Sequence, residues 1–329
     1  MFDVREATAA DRPHVEALIA EMIPGCDVAA RMRWLYESNP GGPAITWLAV
    51  AATGEVAGCT SFFPFRLWLD GEEKLGALGG DGYVRPAFRR RGIGALLHKA
   101  SRDAMPRHDI SCMYGAPGAM NVTPLKHGGS RESGQVVRWV RPLRGEALHV
   151  PAPLASAVAW ALKPRPRARL VPAVANDPRI DGVWEAARGG LRLAAIRDGA
   201  FYTWRFQNAP AGRQPTFVII DHDRPIGACA LEPIDGGRIL RIVDLLAVPG
   251  EWRTCLLSIV DYCTATSAEL VDIKLLERDS QRRSMYRSLF VDRGKKPFLC
   301  MIPPGGDRRF VDPKRWFYTN ADSDLDDHT

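Results

Sequence analysis

Two stretches of the chain repeat the same order of residues, and this repeat constrains the fold most. RWLYESNP at 33–40 and TWRFQNAP at 203–210 share a Trp, an aromatic residue two positions later, and then Asn and Pro. In both copies a strand, a turn and a second strand follow, and Gly58 lies at nearly the same distance from its Trp as Gly227 does. Matched order over about fifty residues indicates two copies of one domain plan.

A Pro/Arg-rich segment between the copies fits this division. The chain has 329 residues, more than one domain usually contains. Lys163-Pro-Arg-Pro-Arg cannot continue a helix, because proline lacks the amide proton that a helix needs. We predict a first domain over 1–145, a linker with a short helix (Leu154–Leu162) over 146–178, a degenerate second domain over 179–320 and an acidic tail over 321–329.

Hydrophobic periodicity and turn residues predict the elements of the first domain. A strand, FDVREA, precedes a capped helix with Pro13 in its first turn. Trp34 and Tyr36, like Trp204 and Phe206 in the second copy, have helical spacing, which favours a place in the core over a place in an acceptor pocket. Further strands are predicted at 44–50, 56–62, 65–69, 75–84 and 111–116, with a turn at Asp70-Gly71 and a helix after Gly94.

Composition and charge narrow the class of protein. Hydrophobic residues make up 46% and charged residues 25%, as in folded globular proteins. The net charge of +6 suits an anionic partner but is too mild to indicate nucleic acid. Seven scattered cysteines, without a CxxC or a Cys/His cluster, predict reduced thiols and no metal site. We expect a cytoplasmic protein, since no run approaches the ~20 apolar residues of a membrane span.

The motif RRRGIG at 89–94 falls where a strand gives way to a helical pattern. A helix N-terminus has unpaired N–H groups and partial positive charge, so it binds anions. Gly92 and Gly94 lack the Cβ atoms that would keep an anion from the main chain, and the arginines attract it. The alternative is a glycine-rich turn beside an exposed basic patch. The spacing fits neither a dinucleotide fingerprint nor a P-loop.

The longer stretch VRPAFRRRGIGALL at 84–97 resembles the acyl-CoA-binding signature of the GNAT superfamily of N-acetyltransferases. WLYESNP, GGDGYVRP, RDGAFYTWRF and WFYTNADSD extend the resemblance to bacterial proteins built from two GNAT-like halves. The fold that this implies is of the α/β (α+β) class, with a mixed, mostly antiparallel, splayed sheet flanked by helices in each domain.

The resemblance also implies a cofactor, acetyl-CoA or another acyl-CoA, and the residues that hold it. Tyr83, Val84 and Arg85 would pair with the pantetheine arm. The loop amides would hold the pyrophosphate at Arg89, Arg90, Arg91, Gly92, Ile93, Gly94 and Ala95. Asn121 would hydrogen-bond the pantetheine arm, with a helix cap as the alternative. The stretch VPGEW at 248–252 lacks the motif, so we expect one cofactor per chain.

Direct attack of an amine on a thioester needs a proton acceptor for the amine and a proton donor for the departing thiolate. Asp81, just before the motif, is the candidate acceptor; alternatively it satisfies main-chain groups where Gly79-Gly80 bends the strand. The family often places a tyrosine after the next strand as the donor. Here PLK at 124–126 occupies that helix, so Tyr114 or Tyr83 is predicted instead.

These residues predict an acyl-CoA-dependent N-acyltransferase that acts on a primary amine of a small molecule, such as an amino sugar or a natural-product amine. One alternative is a non-catalytic acyl-CoA sensor or partner protein. Another, ranked last, is a nucleic-acid-binding module, because the arginine clusters lack interleaved aromatic residues. We expect a small-molecule partner, neither nucleic acid nor membrane, and leave a homodimer open.

Overall fold

The computed structural model describes residues 2–144, 164, 166–210, 212 and 214–323. The predicted helix at 154–162 and the tail beyond 323 lie outside these residues. The chain divides into two compact units. The strands form a mixed, mostly antiparallel arrangement flanked by helices, which confirms the predicted fold class. Unit 1 comprises Met1–Gly134, Lys296–Arg315 and Asp322–Thr329, and unit 2 comprises Gln135–Lys295 and Trp316–Ala321.

The strands of unit 1 follow the order β1-β2-β3-β4-β5-β13. These strands are β1 (Phe2–Glu6), β2 (Ile45–Ala51), β3 (Val56–Leu69), β4 (Glu72–Val84), β5 (Ile110–Gly115) and β13 (Val291–Met301). Neighbours are antiparallel except β4 and β5, which are parallel. The end of β13 pairs with β5, Leu299 opposite Gly115 and Met301 opposite Met113, so one strand partner of β5 lies almost 200 residues later in the chain.

The helices of unit 1 are α1 (Arg12–Met22), α2 (Val28–Arg31), α3 (Ile93–Ala104) and α4 (Ala119–His127). Asp27 caps α2, because its carboxylate accepts the amide of Ala30 at 2.9 Å. A π-helical turn, Met32–Glu37, continues α2 and buries Trp34 and Tyr36, which confirms the core prediction for both. Ile93 and Leu97 of α3 pack into the same hydrophobic cluster as Trp47 and Phe62 of the sheet, so the sheet fixes the start of α3.

Unit 2 has the strand order β6-β12-β11-β10-β9-β7. These strands are β6 (Arg131–Pro142), β7 (Ala168–Pro172), β9 (Thr216–Asp221), β10 (Arg224–Ile234), β11 (Ile239–Ala247) and β12 (Leu270–Leu276). A short strand, β8 (Leu193–Ala195), pairs with β14 (Trp316–Phe317). The helices are α5 (Pro178–Arg188), α6 (Gly199–Tyr202), α7 (Trp252–Thr264) and α8 (Asp279–Arg287). No helix of the described residues has the length and apolar character that crossing a bilayer requires.

The repeat in the sequence corresponds to a repeated arrangement of elements. In each unit three antiparallel strand pairs are followed by one parallel pair and one more antiparallel strand. In unit 2, α6 continues into a π-helical turn, Thr203–Gln207, which buries Trp204 and Phe206 as predicted. Gly58 and Gly227 both lie where a strand closely approaches its neighbour: an added Cβ would lie 2.4 Å from the carbonyl oxygen of Tyr83 and 2.8 Å from that of Leu246.

Gly58→Ala is therefore expected to lower the free energy of unfolding by about 1–3 kcal/mol. The added Cβ would collide with main-chain atoms of β4, and moving these atoms strains the strand. Urea denaturation measures this loss. Gly82→Ala is the matched control in the same strand pair, since its Cβ would meet only the Thr60 hydroxyl at 3.7 Å. A loss no larger than that of the control would contradict the close approach.

Candidate functional site

The motif at 89–94 forms the entry to α3. A 3₁₀ turn, Pro86–Phe88, follows β4, and Gly92 caps α3 with φ 78° and ψ 5°. Leu96 donates to the carbonyl of Gly92 at 3.2 Å. The amides of Ile93, Gly94 and Ala95 come before this bond and have no preceding helical turn to bond, so they are available to an anion at the helix end.

Space is open at both glycines of the motif. An added Cβ at Gly92 or Gly94 would meet no atom within 4 Å in the described part of the chain. Gly92 needs its left-handed φ, but Gly94 is an ordinary helical residue, where glycine is about 1 kcal/mol less favourable than alanine. Packing within the chain therefore does not explain Gly94, whereas a ligand close to the main chain would.

The amides of Ile93, Gly94 and Ala95 form a cradle for an anion, and the basic side chains next to this cradle differ in what they contact. Arg89 is exposed, donates from Nε to the carbonyl of Val84 at 2.9 Å and lies 5.7 Å from the ring centroid of Tyr83. Arg91, also exposed, lies 5.6 Å from the ring centroid of Phe88. The guanidinium of Arg85 instead bonds Glu21 at 2.8 Å. Exposed positive charge thus surrounds the loop, and Arg89 also ties the loop to the end of β4.

Strands β4 and β5 diverge in front of this loop. They pair in parallel from Leu75 opposite Ile110 to Leu78 opposite Tyr114. β5 ends at Gly115, whereas β4 continues to Val84 and stays paired with β3. Among the described residues, the edge of β4 at 79–84 that faces away from β3 has no strand partner. An extended chain could pair with such an edge as an added strand does.

The main-chain groups of this open edge can be assigned to residues. The amide of Arg85 donates to Ala57 of β3 at 2.9 Å, and its carbonyl accepts from Phe88 at 2.9 Å. Because successive residues of a strand direct their main-chain groups to opposite sides, those of Val84 point away from β3. Of the three residues predicted to pair with pantetheine, Val84 is therefore the best placed, through its amide, since its carbonyl accepts from Arg89. The main chain of Arg85 is already engaged.

A bulge in β4 holds Asp81. The register runs from Ser61 opposite Gly80 to Cys59 opposite Tyr83, so β4 has one residue more than β3 here, and Asp81 has a left-handed φ of 47°. A bulge bends its strand. The carboxylate accepts from Arg31 (Nη2 to Oδ1, 2.6 Å; Nε to Oδ2, 3.2 Å) and from the Tyr36 hydroxyl at 2.7 Å.

These contacts favour the structural alternative for Asp81 over the role of proton acceptor. Its side chain is 1% exposed, and both carboxylate oxygens already accept hydrogen bonds. A general base must reach the proton that it removes. Burial, and next the charge of Asp81, raise the pKa of Tyr36 well above its ordinary value, so the hydroxyl remains a donor to the carboxylate. Arg31 lies fifty positions earlier in the chain, so no sequence motif indicated that it would pair with Asp81.

The other predicted side chains lie in different surroundings. Tyr114 is 1% exposed and packs against the rings of Phe65 and Phe298, with centroid distances of 6.3 and 6.5 Å. Tyr83 is half-buried beneath Arg89. Asn121 is exposed and is not the cap of α4, which is Gly118, so the helix-cap alternative is wrong. Pro124 lies inside α4, a helix of nine residues, as expected of a short helix.

Unit 2 differs at the corresponding place. β11 and β12 also diverge, after Ile242 opposite Ile273. The chain then enters α7 through Val248-Pro-Gly, and Glu251 precedes the helix. The carboxylate of Glu251 bonds Arg167 at 2.6 Å and Arg224 at 3.2 Å. Proline offers no amide to an anion, and a carboxylate of the chain already pairs with the nearby arginines, which supports the prediction of a single cofactor site.

Comparison with known proteins agrees with this geometry. Residues 16–121 match the family model of the acetyltransferase (GNAT) family, a range that includes the loop and the open edge of β4. No curated protein matches the chain in sequence. A GCN5-related N-acetyltransferase from Anabaena variabilis is similar in structure, with a TM-score of 0.67 at 16% identity, over 92% of this chain and 73% of that one.

Two further structures are also similar. One is a conserved protein of unknown function from Enterococcus faecalis, described as a probable N-acyltransferase (TM-score 0.68, 12% identity, 92% of this chain and 73% of that one). The other is a fungal GCN5-related glucosamine N-acetyltransferase region within a multi-domain β-N-acetylglucosaminidase (0.57, 13%, 92% and 38%). At these identities the likeness shows the fold alone. The family match covers residues 16–121 of the 329, and that part of the chain is similar to GNAT acetyltransferases.

Proposed function

We propose that this chain is an acyl-CoA-dependent N-acyltransferase that uses acetyl-CoA and acylates a primary amine of a small molecule. One observation supports the proposal most strongly. The open edge of β4 at 79–84 leads directly to the helix end at 92–95, which has both available amides and space for a ligand. An extended arm followed by a diphosphate fits this sequence of features, because the arm can pair with the edge and the diphosphate can accept from the amides.

The residues that would hold the cofactor divide by chemistry. The main-chain amide of Val84 would donate to the pantetheine arm. Amides of Ile93, Gly94 and Ala95 would donate to the diphosphate, while Arg90 and Arg91, both exposed, would attract it by charge. Acyl-CoA supplies the activated acyl group when bound. The chain's part is to orient that group and to donate main-chain hydrogen bonds to the carbonyl oxygen as it becomes negative.

Water has a larger part in the proposed proton transfer than the sequence motifs predicted, because they assigned the proton acceptor to Asp81. The amine must lose a proton to become a nucleophile, and the thiolate must be stabilised as it leaves. The buried carboxylate of Asp81 is engaged with Arg31 and Tyr36, so water is the better acceptor for the ammonium proton. Tyr83, half-buried at the end of the open edge, is a better candidate donor to the sulfur than Tyr114 in the core.

Among acceptors, an amino sugar is the first class to test. The fungal structure of similar fold is described as a glucosamine N-acetyltransferase region, and the small-molecule class is the one that the sequence motifs favour. The second candidate function is an acyl-CoA sensor. The inaccessible positions of Asp81 and Tyr114 favour it, because they leave few side chains for chemistry.

Calorimetry with CoA and acetyl-CoA, followed by thiol release over a panel of amines, tests both functions. We expect saturable binding of one cofactor per chain, and amine-dependent release of CoA thiol from acetyl-CoA with glucosamine among the amines. Saturable binding without thiol release for any amine would support the sensor. Absence of binding would overturn both functions.

A further inference from the structure

Each unit contains a buried cluster of one arginine, one aspartate and one tyrosine. In unit 1 it comprises Arg31, Asp81 and Tyr36, described above. In unit 2, Arg197 donates from Nε to both carboxylate oxygens of Asp244 at 3.1 Å, and the Tyr202 hydroxyl donates to Oδ2 at 2.9 Å. Arg197 and Asp244 are completely buried. Thr319 adds a hydrogen bond of 2.7 Å to the same carboxylate.

The two aspartates share a position in the sheet. Asp81 lies at the bulge of β4, next to the divergence from β5. Asp244 lies beside a bulge of β11, where the register shifts between Ala230 and Leu231 of β10, next to the divergence from β12. A carboxylate that leaves water needs donors to offset its lost hydration. Each unit therefore places buried donors around an aspartate where a central strand bends away from its neighbour.

The donors do not occupy matching sequence positions. Relative to the Trp of the repeat, Arg31 lies three residues before Trp34, whereas Arg197 lies seven before Trp204. Tyr202 precedes its Trp, and the residue that corresponds to Tyr36 in the repeat is Phe206. The same three chemical groups thus reach the aspartate from different helical positions. The recurrence of these groups indicates that the bent strand itself requires them, and it does not indicate a catalytic role for the aspartate in one unit.

We propose that Arg31, Asp81 and Tyr36 form a positioning cluster that holds β4 in its bulged, diverging course and so keeps the edge at 82–84 open for an extended ligand. Asp81 acts through the main chain of β4, not as a proton acceptor. The effect on ligand binding rests on the proposed function, whereas the effect on the strand does not. The cluster in unit 2 serves as an internal control, because the loop that follows β11 carries Pro249 and Glu251 instead of the glycine cradle.

Matched substitutions separate the two clusters. Tyr36→Phe and Tyr202→Phe each remove one hydroxyl donor, and Phe206 shows that phenylalanine fits the position of Tyr36 in the repeat. We expect Tyr36→Phe to weaken CoA binding about three- to tenfold, the effect of one hydrogen bond to a charged group, while Tyr202→Phe leaves the Kd unchanged. The KM for acetyl-CoA should rise by the same factor in Tyr36→Phe, with kcat altered less than about twofold.

Hydrogen exchange without any ligand tests the strand directly. We expect amides at 79–85 to exchange faster in Tyr36→Phe than in the wild type and those at 242–247 to exchange faster in Tyr202→Phe. Arg31→Met and Arg197→Met repeat the comparison with a larger change. A fall in kcat with unchanged Kd in Tyr36→Phe, or unchanged exchange at 79–85, would overturn the proposal. If wild-type protein does not bind CoA, the proposed function fails, while the exchange data still decide whether the cluster holds β4.

Discussion

Gly94→Val is expected to weaken CoA binding at least about 100-fold, about 3 kcal/mol, while the chain stays folded. An added Cβ at position 94 meets nothing within 4 Å among the described residues, and its φ is not left-handed. In a helix the Cα–Cβ bond tilts toward the N-terminus, here toward the three amides of the cradle. The branched side chain would therefore exclude a diphosphate without disturbing the chain's own packing. Calorimetry with CoA measures the loss, and urea denaturation measures the stability.

Gly182→Val is the matched control for this prediction. Gly182 lies inside α5, and an added Cβ there also meets no atom within 4 Å in the described residues. Both variants exchange a helical glycine for the same side chain, so their free energies of unfolding should change alike, by less than about 1 kcal/mol. CoA binding should be unaffected in Gly182→Val. Wild-type affinity in Gly94→Val would place the ligand away from the entry to α3.

Asp244→Asn is expected to lower the free energy of unfolding of unit 2 by about 3–5 kcal/mol, because it removes a buried negative charge that the guanidinium of Arg197 contacts directly. Arg197 and Asp244 are both 0% exposed, so water cannot replace the lost partner. The asparagine also has only one acceptor oxygen, where the carboxylate now receives bonds from Arg197, Tyr202 and Thr319. Denaturation followed by tryptophan fluorescence measures the loss, with separate transitions fitted for the two units where they occur.

Asp235→Asn provides the comparison for the buried pair. Asp235 bonds Arg238 at 3.0 Å, but the two side chains are 58% and 61% exposed, and exposed pairs contribute only about 0–1 kcal/mol. We therefore expect a small change in the free energy of unfolding. Losses of similar size in the two variants would mean that burial adds nothing to the pair of Asp244 and Arg197.

Features set by local spacing could be predicted from the sequence. The helix placed after Gly94 begins at Ile93, and the turn at Asp70-Gly71 joins β3 and β4. The expectation of separate strands at 56–62 and 65–69 is wrong, since β3 runs continuously from Val56 to Leu69. The interruption at Pro64 is tolerated because β2 pairs with β3 only as far as Phe62, so Pro64 lies beyond the end of that ladder.

Features that depend on distant partners could not be predicted. The role of Asp81 depends on Arg31 and Tyr36, which approach it only once the helices pack on the sheet. Sequence spacing gives no sign of that approach, since a carboxylate before a glycine-rich loop fits a proton acceptor and a buried ion pair equally well. The engagement of the Arg85 main chain with Ala57 and Phe88 is likewise a matter of register and turn geometry.

The pairing of β13 with β5 has a consequence for how the chain is made. Residues 299–301 supply a strand partner for β5, whereas the other strand paired with β5, which is β4, ends at Val84. During synthesis, the edge of β5 that pairs with β13 therefore stays unpaired until most of the polypeptide has left the ribosome. Unpaired strand edges promote association between chains. A gene fragment that stops between the two repeats would lack β13. We therefore expect the truncated protein to aggregate more readily than the full chain.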